Sequence, residues 1–128
     1  KAVNDSHGHD AGDSLLTAFG LLLSRRLRKS DVACRYGGEE FCVLMPRTDA
    51  RAAARKVNAL LKLWRSASFE LRGGTLSGLS FSAGVSDSRI AAGSAAQFLK
   101  AADEALLAAK AYGRNRVLAS DDPVAETA

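Results

Sequence analysis

Gly37-Gly38 lies between two β-type runs, Val32-Ala33-Cys34-Arg35-Tyr36 before it and Phe41-Cys42-Val43-Leu44-Met45-Pro46 after it. Paired glycines joining two such runs predict a β-hairpin, because glycine alone enters positive-φ turns without steric cost. The pattern fixes an antiparallel strand pair at this point, and the rest of the chain must pack around it. A turn without side chains also leaves room for an approaching phosphate. The next two residues, Glu39-Glu40, set two carboxylates side by side. Like-charge repulsion opposes that arrangement unless a cation or a cationic transition state sits between them. Magnesium is the natural candidate; a plain solvated turn is the alternative.

Helical periodicity surrounds the hairpin. From about Asp13 to Lys29, apolar residues at Leu15, Phe19, Leu22, Leu23 and Leu27 form one stripe, with Gly12-Asp13-Ser14 supplying capping chemistry and basic residues gathering at the end. After Pro46, Thr48-Asp49 can cap a second helix carrying Ala53, Val57, Leu60, Leu61 and Trp64 on one face. Ser68 to Arg72 reads as a short strand, and Leu79 to Ser86 alternates apolar and small polar residues, the period of a half-buried strand. A third helix runs from about Ser94 to Ala111 and ends at Gly113, before a brief strand around Arg116 to Leu118. This order predicts an α+β domain over residues 1–119, a mainly antiparallel central sheet flanked by helices, with residues 120–128 as a tail or linker.

The chain has 128 residues, enough for one domain with its own core, and no apolar run long enough to span a bilayer. Cys34 and Cys42 fall in strand-like runs without metal-type spacing, which fits a reducing cytoplasm. The net charge of +4 suits an anionic partner, but the bases are scattered and carry no aromatic interleaving, so nucleic acid is not expected. Two loop histidines, His7 and His9, make a poor zinc site without cysteine partners.

Three further segments carry candidate chemistry. Lys1 to Asp13 is a polar, glycine-containing loop that leads into the first helix. Lys110 and Arg114, astride the end of the third helix, could converge on phosphate oxygens, or could be ordinary cations at a helix end. Arg28 and Asp31, just before the hairpin, offer a guanidinium for the O6/N7 edge of guanine and a carboxylate for its N1 and N2 protons. Asp103-Glu104 on the third helix reads as solvated face.

Together these segments resemble the GGDEF family. Gly37 to Phe41 looks like its signature, in the variant with glutamate in third place. Lys1 to Asp13 matches F-K-x-x-N-D-x-x-G-H-x-x-G-D from its lysine onward. Asp103-Glu104-Ala105-Leu106 with Lys110 and Gly113-Arg114-Asn115 resembles the closing A-D-x-A-L-Y-x-A-K-x-x-G-R-N, with Leu107 in place of the usual tyrosine. Any one motif is weak, but all of them in order at family spacing are specific, and the match runs essentially end to end.

The resemblance implies a fold of the nucleotidyl cyclase, ferredoxin-like palm type. It also implies a diguanylate cyclase, which condenses two GTP into cyclic di-GMP with loss of two pyrophosphates. Glu39 would ligate Mg2+ or Mn2+, and Glu40 would help hold metal or activate the attacking ribose hydroxyl. Gly37 and Gly38 would leave room for phosphates. Asn4 and Asp13 would read guanine, and Lys1, Lys110 and Arg114 would bind the triphosphate. Each domain of this family holds one GTP, so a homodimer is implied. Arg28 and Asp31 match the family's R-x-x-D inhibitory site for cyclic di-GMP. An upstream sensory or receiver domain is expected, with the whole in the cytoplasm, either free or as the inner part of a membrane-anchored sensor.

The family's D-x-D-x-F strand, which carries a further metal-ligand aspartate, precedes the lysine matched by Lys1 and is absent from this sequence. The expectation is that a longer parent protein possesses it, and that the fragment alone is inactive or needs a borrowed strand. A catalytically inactive domain acting as a cyclic di-GMP or GTP receptor is the alternative function.

Overall fold

A computed structural model of the chain describes residues 9–71, 74–89 and 94–121. In order these form α1 (His9–Arg26), β1 (Val32–Arg35), β2 (Phe41–Leu44), α2 (Ala50–Ser66), β3 (Ser68–Leu71), β4 (Gly74–Ser77), β5 (Ala83–Val85), α3 (Ala95–Ala111) and β6 (Val117–Ala119). The α+β class is as expected, with one strand, β4, that the sequence reading did not place. The expected loop over residues 1–8 and the expected tail over residues 122–128 fall outside the described residues.

Contacts divide the chain into two units, and the first comprises Lys1–Pro46 with Trp64–Leu79. Here β1 and β2 pair antiparallel from Val32↔Leu44 to Arg35↔Phe41, and β3 and β4 pair from Ser68↔Ser77 to Leu71↔Gly74. Leu15 and Leu23 of α1 are buried, as the stripe predicted. Phe19 meets Phe41 edge-on at 5.1 Å and Trp64 edge-on at 5.1 Å, while Trp64 meets Phe69 at 5.0 Å. Each such pair adds about 0.5–1.5 kcal/mol beyond area burial. Helix α1 starts at His9, so Gly12-Asp13-Ser14 lies inside it instead of capping it. Each of its two glycines, Gly12 and Gly20, costs about 1 kcal/mol, which a buried stripe outweighs.

The second unit comprises Arg47–Leu63 with Ser80–Ala128. Strands β5 and β6 run parallel, with Ala83↔Val117, Gly84↔Leu118 and Val85↔Ala119 in register. Helix α3 packs on them through a small-residue face, and Ala105, Ala108, Ala109, Val85 and Ala119 are all buried. Gly84 is what allows this approach, because a Cβ there would fall onto the Ala102 carbonyl and the Leu106 amide. Ser94 caps α3 in a reciprocal box with Gln97, at 3.2 Å and 3.1 Å. At the start of α2, Asp49 Oδ1 accepts from Ala52 N at 2.8 Å, the cap expected from Thr48-Asp49. A second carboxylate, the buried Asp87, accepts from Ala50 N at 2.7 Å and from Arg89 N at 2.9 Å. Its charge complements the positive end of the α2 dipole.

Two differences from the sequence expectation stand out. Among the described residues the strands pair two by two, in two antiparallel pairs and one parallel pair. Of the alternating run Leu79 to Ser86, only Ala83–Val85 is laddered. Alternation reports half-burial, which a segment can have without a hydrogen-bonded neighbour. No helix among the described residues is long and apolar enough to cross a membrane.

Candidate active site

The hairpin turn is built from the backbone outward. The carbonyl of Glu40 accepts from Tyr36 N at 2.7 Å and from Gly37 N at 3.2 Å, closing the turn over Gly37, Gly38 and Glu39. Arg35 grips the turn from below, with Nε donating to the Gly38 carbonyl at 3.2 Å and Nη2 to the same oxygen. This guanidinium clamp was not foreseen from the sequence. The signal available was an arginine at the last strand position, three residues before Gly38.

Neither glycine of the turn has positive φ, so the expected left-handed conformation is not their reason for being there. Their service is space. A Cβ on Gly38 would meet nothing within 4 Å, and one on Gly37 would meet the Glu40 side chain at 3.5 Å. The Glu39 and Glu40 residues are exposed beside this opening. Among the described residues no group of three or more His, Cys, Asp or Glu forms a ready-made metal cluster. Two hard carboxylate donors beside open space nevertheless suit Mg2+ or Mn2+, since magnesium is commonly held by one or two carboxylates together with substrate phosphates.

The Arg28–Asp31 pair is tightly organised. Asp31 accepts from Arg28 N at 2.9 Å and from Arg28 Nη2 at 3.1 Å, and its side chain is 2% exposed against 53% for Arg28. Arg28 Nη2 also donates to the Pro46 carbonyl at 2.9 Å, joining the segment after α1 to the end of the hairpin. A buried carboxylate with these charge-assisted partners holds its geometry.

In the second unit, Lys110 and Arg114 flank a Schellman end to α3. Gly113 N bonds the Lys110 carbonyl at 3.4 Å and Arg114 N bonds the Ala109 carbonyl at 2.9 Å. Gly113, Arg114 and Asn115 then take φ of 111°, 62° and 49° in succession. Such conformations cost about 1–3 kcal/mol at a residue other than glycine and gather at functional sites. Sequence patterning carries no sign of this strain at Arg114 and Asn115.

Of the remaining expected site residues, Asp13 is exposed on α1, while Lys1 and Asn4 lie outside the described residues. Asp103 and Glu104 are exposed, as expected. Cys34 and Cys42 face each other across the hairpin. Burial, then the neighbouring Cys34, push the Cys42 thiol above its ordinary pKa.

Residues 1–116 match the family described as "Diguanylate cyclase, GGDEF domain". The chain is 41% identical over 120 residues to the response regulator PleD of Caulobacter vibrioides, a match covering 92% of this chain and 26% of PleD. It is 37% identical over 120 residues to diguanylate cyclase A of Treponema denticola, covering 94% of this chain and 32% of that protein. It therefore spans about a third or less of these relatives. Among solved structures, the GGDEF domain of DgcB from Caulobacter crescentus in complex with c-di-GMP superposes with a TM-score of 0.85 at 30% identity, over 94% of this chain and 71% of that one. With its carboxylate-bearing turn and closing helix end both in family order, the chain belongs to the GGDEF diguanylate cyclase domain family.

Proposed function

We propose that this chain is the catalytic domain of a diguanylate cyclase that joins two GTP into cyclic di-GMP and releases two pyrophosphates. The observation that carries the reading is the turn itself: two exposed carboxylates beside a glycine with nothing within 4 Å of where a side chain would start.

Glu39 and Glu40 hold the divalent cation, Mg2+ or Mn2+, which when bound neutralises charge developing on the α-phosphate. Glu40 accepts the proton of the ribose 3′-hydroxyl. The freed oxygen bonds to the α-phosphorus of the opposite GTP, and the bond to pyrophosphate breaks; the same exchange in the other direction closes the ring. Gly37 and Gly38 leave room for the phosphates, with the turn held by Arg35. Lys1, Lys110 and Arg114 bind the triphosphate oxygens. Asn4 and Asp13 read guanine, because a carboxylate accepts from both N1–H and N2–H, where adenine offers no such pair and would leave it unpaired.

Each domain holds one GTP, so catalysis needs a homodimer, driven by a sensory or receiver domain elsewhere in the protein. Arg28 and Asp31 form the product site. Product there competes with Pro46 and Asp31 for the Arg28 guanidinium, a coupling between two sites.

The test is GTP turnover by the full-length protein with Mg2+, read as cyclic dinucleotide. Glu40→Gln should lower kcat by at least about a hundredfold, the lower end for a lost acid–base group, with the fold retained by circular dichroism. Arg28→Ala should keep turnover and relieve product inhibition. GTP or cyclic di-GMP binding without turnover in the full-length wild type would replace the cyclase with a receptor.

A further inference from the structure

Cys34 of β1 and Cys42 of β2 are direct register partners, so their side chains share one face of the hairpin. The neighbouring pair, Tyr36 and Glu40, is joined by the Tyr36 N to Glu40 O bond of 2.7 Å that closes the turn. Antiparallel ladders alternate, which makes Cys34–Cys42 the next hydrogen-bonded pair, with Cα atoms about 5.5 Å apart. A disulfide tolerates roughly 4.4–6.8 Å. Cys34 is exposed and Cys42 half-buried, and Val32, Tyr36 and Leu44 on the same face are 57%, 61% and 56% exposed, so a small oxidant can reach the pair.

We propose that Cys34 and Cys42 are a modification site, closed to a reversible cross-strand disulfide by a hydroperoxide, and that closure displaces the Gly37–Glu40 turn.

The exposed Cys34 sulfur attacks the peroxide, the O–O bond breaks, and water (from hydrogen peroxide) or an alcohol (from an organic hydroperoxide) leaves with Cys34 as sulfenic acid. The Cys42 sulfur then attacks the Cys34 sulfur, the S–S bond forms, and the hydroxyl departs as water. Two electrons and two protons pass from the thiols to the oxidant, and a dithiol reverses the bond by exchange. Opposed Cβ atoms in a hydrogen-bonded pair stand about 5 Å apart, whereas a disulfide holds them near about 3.8 Å. Closure therefore pulls the strands together by about 1 Å one ladder step from the turn. A bond made under that strain is easily reduced, the mark of a regulatory disulfide. A shift of about 1 Å near reacting groups is enough to cost up to about a hundredfold in rate.

The effect on turnover rests on the cyclase reading; the disulfide does not. The experiment treats the full-length protein with hydrogen peroxide, blocks remaining thiols by alkylation, maps the peptides by mass spectrometry, and assays GTP turnover on the same sample. The expected result is an intramolecular Cys34–Cys42 link with turnover down by about tenfold, both reversed by dithiothreitol, and a Cys34→Ala protein whose turnover resists peroxide. Cys34 carried as an overoxidised acid or an intermolecular adduct, without the link, would overturn the proposal. A mapped link with unchanged turnover would overturn the displacement of the turn. Reduced protein with no turnover at all would sink the cyclase reading instead, and the peptide map alone would then decide the disulfide.

Discussion

Gly38 and Gly84 are the same residue set in opposite surroundings. At Gly38, on the hairpin turn, the space a side chain would fill is empty, while at Gly84, on β5, it is filled by the backbone of α3. The first unit is held by aromatic rings around Phe19 and Trp64, which reach the hairpin through Phe41. The second is held by methyl-sized contacts among Ala105, Ala108 and Ala109. Rings leave a strand end free to project, whereas small residues bring backbones together and leave no freedom. One glycine is there for what must arrive, the other for what has already arrived.

The contrast can be broken most sharply at Gly84. Gly84→Ala should destabilise the protein by about 3 kcal/mol, the upper end of ordinary overpacking, because its methyl meets helix backbone and not a movable side chain. Chemical denaturation of the two proteins measures it, and a loss below about 0.5 kcal/mol would mean α3 does not sit on β5 as described. Next in size is Asp87→Ala, which removes the acceptor from Ala50 N and leaves a buried amide unpaired. A loss of about 1–3 kcal/mol is expected, read from the same denaturation curves. Smallest is Gly38→Ala, whose stability should stay within about 0.5 kcal/mol of the parent, while its KM for GTP rises because the methyl occupies the opening. Equal stability losses at Gly38 and Gly84 would erase the distinction between the two regions.

Much of this was legible in the chain. Leu15, Phe19 and Leu23, then Leu60, Leu61 and Trp64, repeat at helical spacing, and burial follows because helical periodicity is a local property. The Gly37-Gly38 hairpin was equally plain. What stayed hidden depends on distant partners or on backbone angles. Asp87 reads as one polar residue among serines, and its task appears only when Ala50, far away in the sequence, comes within reach. Local capping logic placed the start of α1 at Gly12-Asp13-Ser14, yet the helix runs back to His9. The strained Arg114-Asn115 turn is a fact of conformation, and the Arg35 clamp was signalled only by an arginine at the last strand position.

Trp64 is the single tryptophan of the chain, and it sits buried between Phe19 and Phe69. The molecule thus contains its own optical reporter, confined to one of its two contact units. Indole emission follows the ring cluster behind the hairpin, while far-ultraviolet ellipticity counts helix turns throughout. If the two signals melt apart, the halves loosen separately; if together, one cooperative transition governs both.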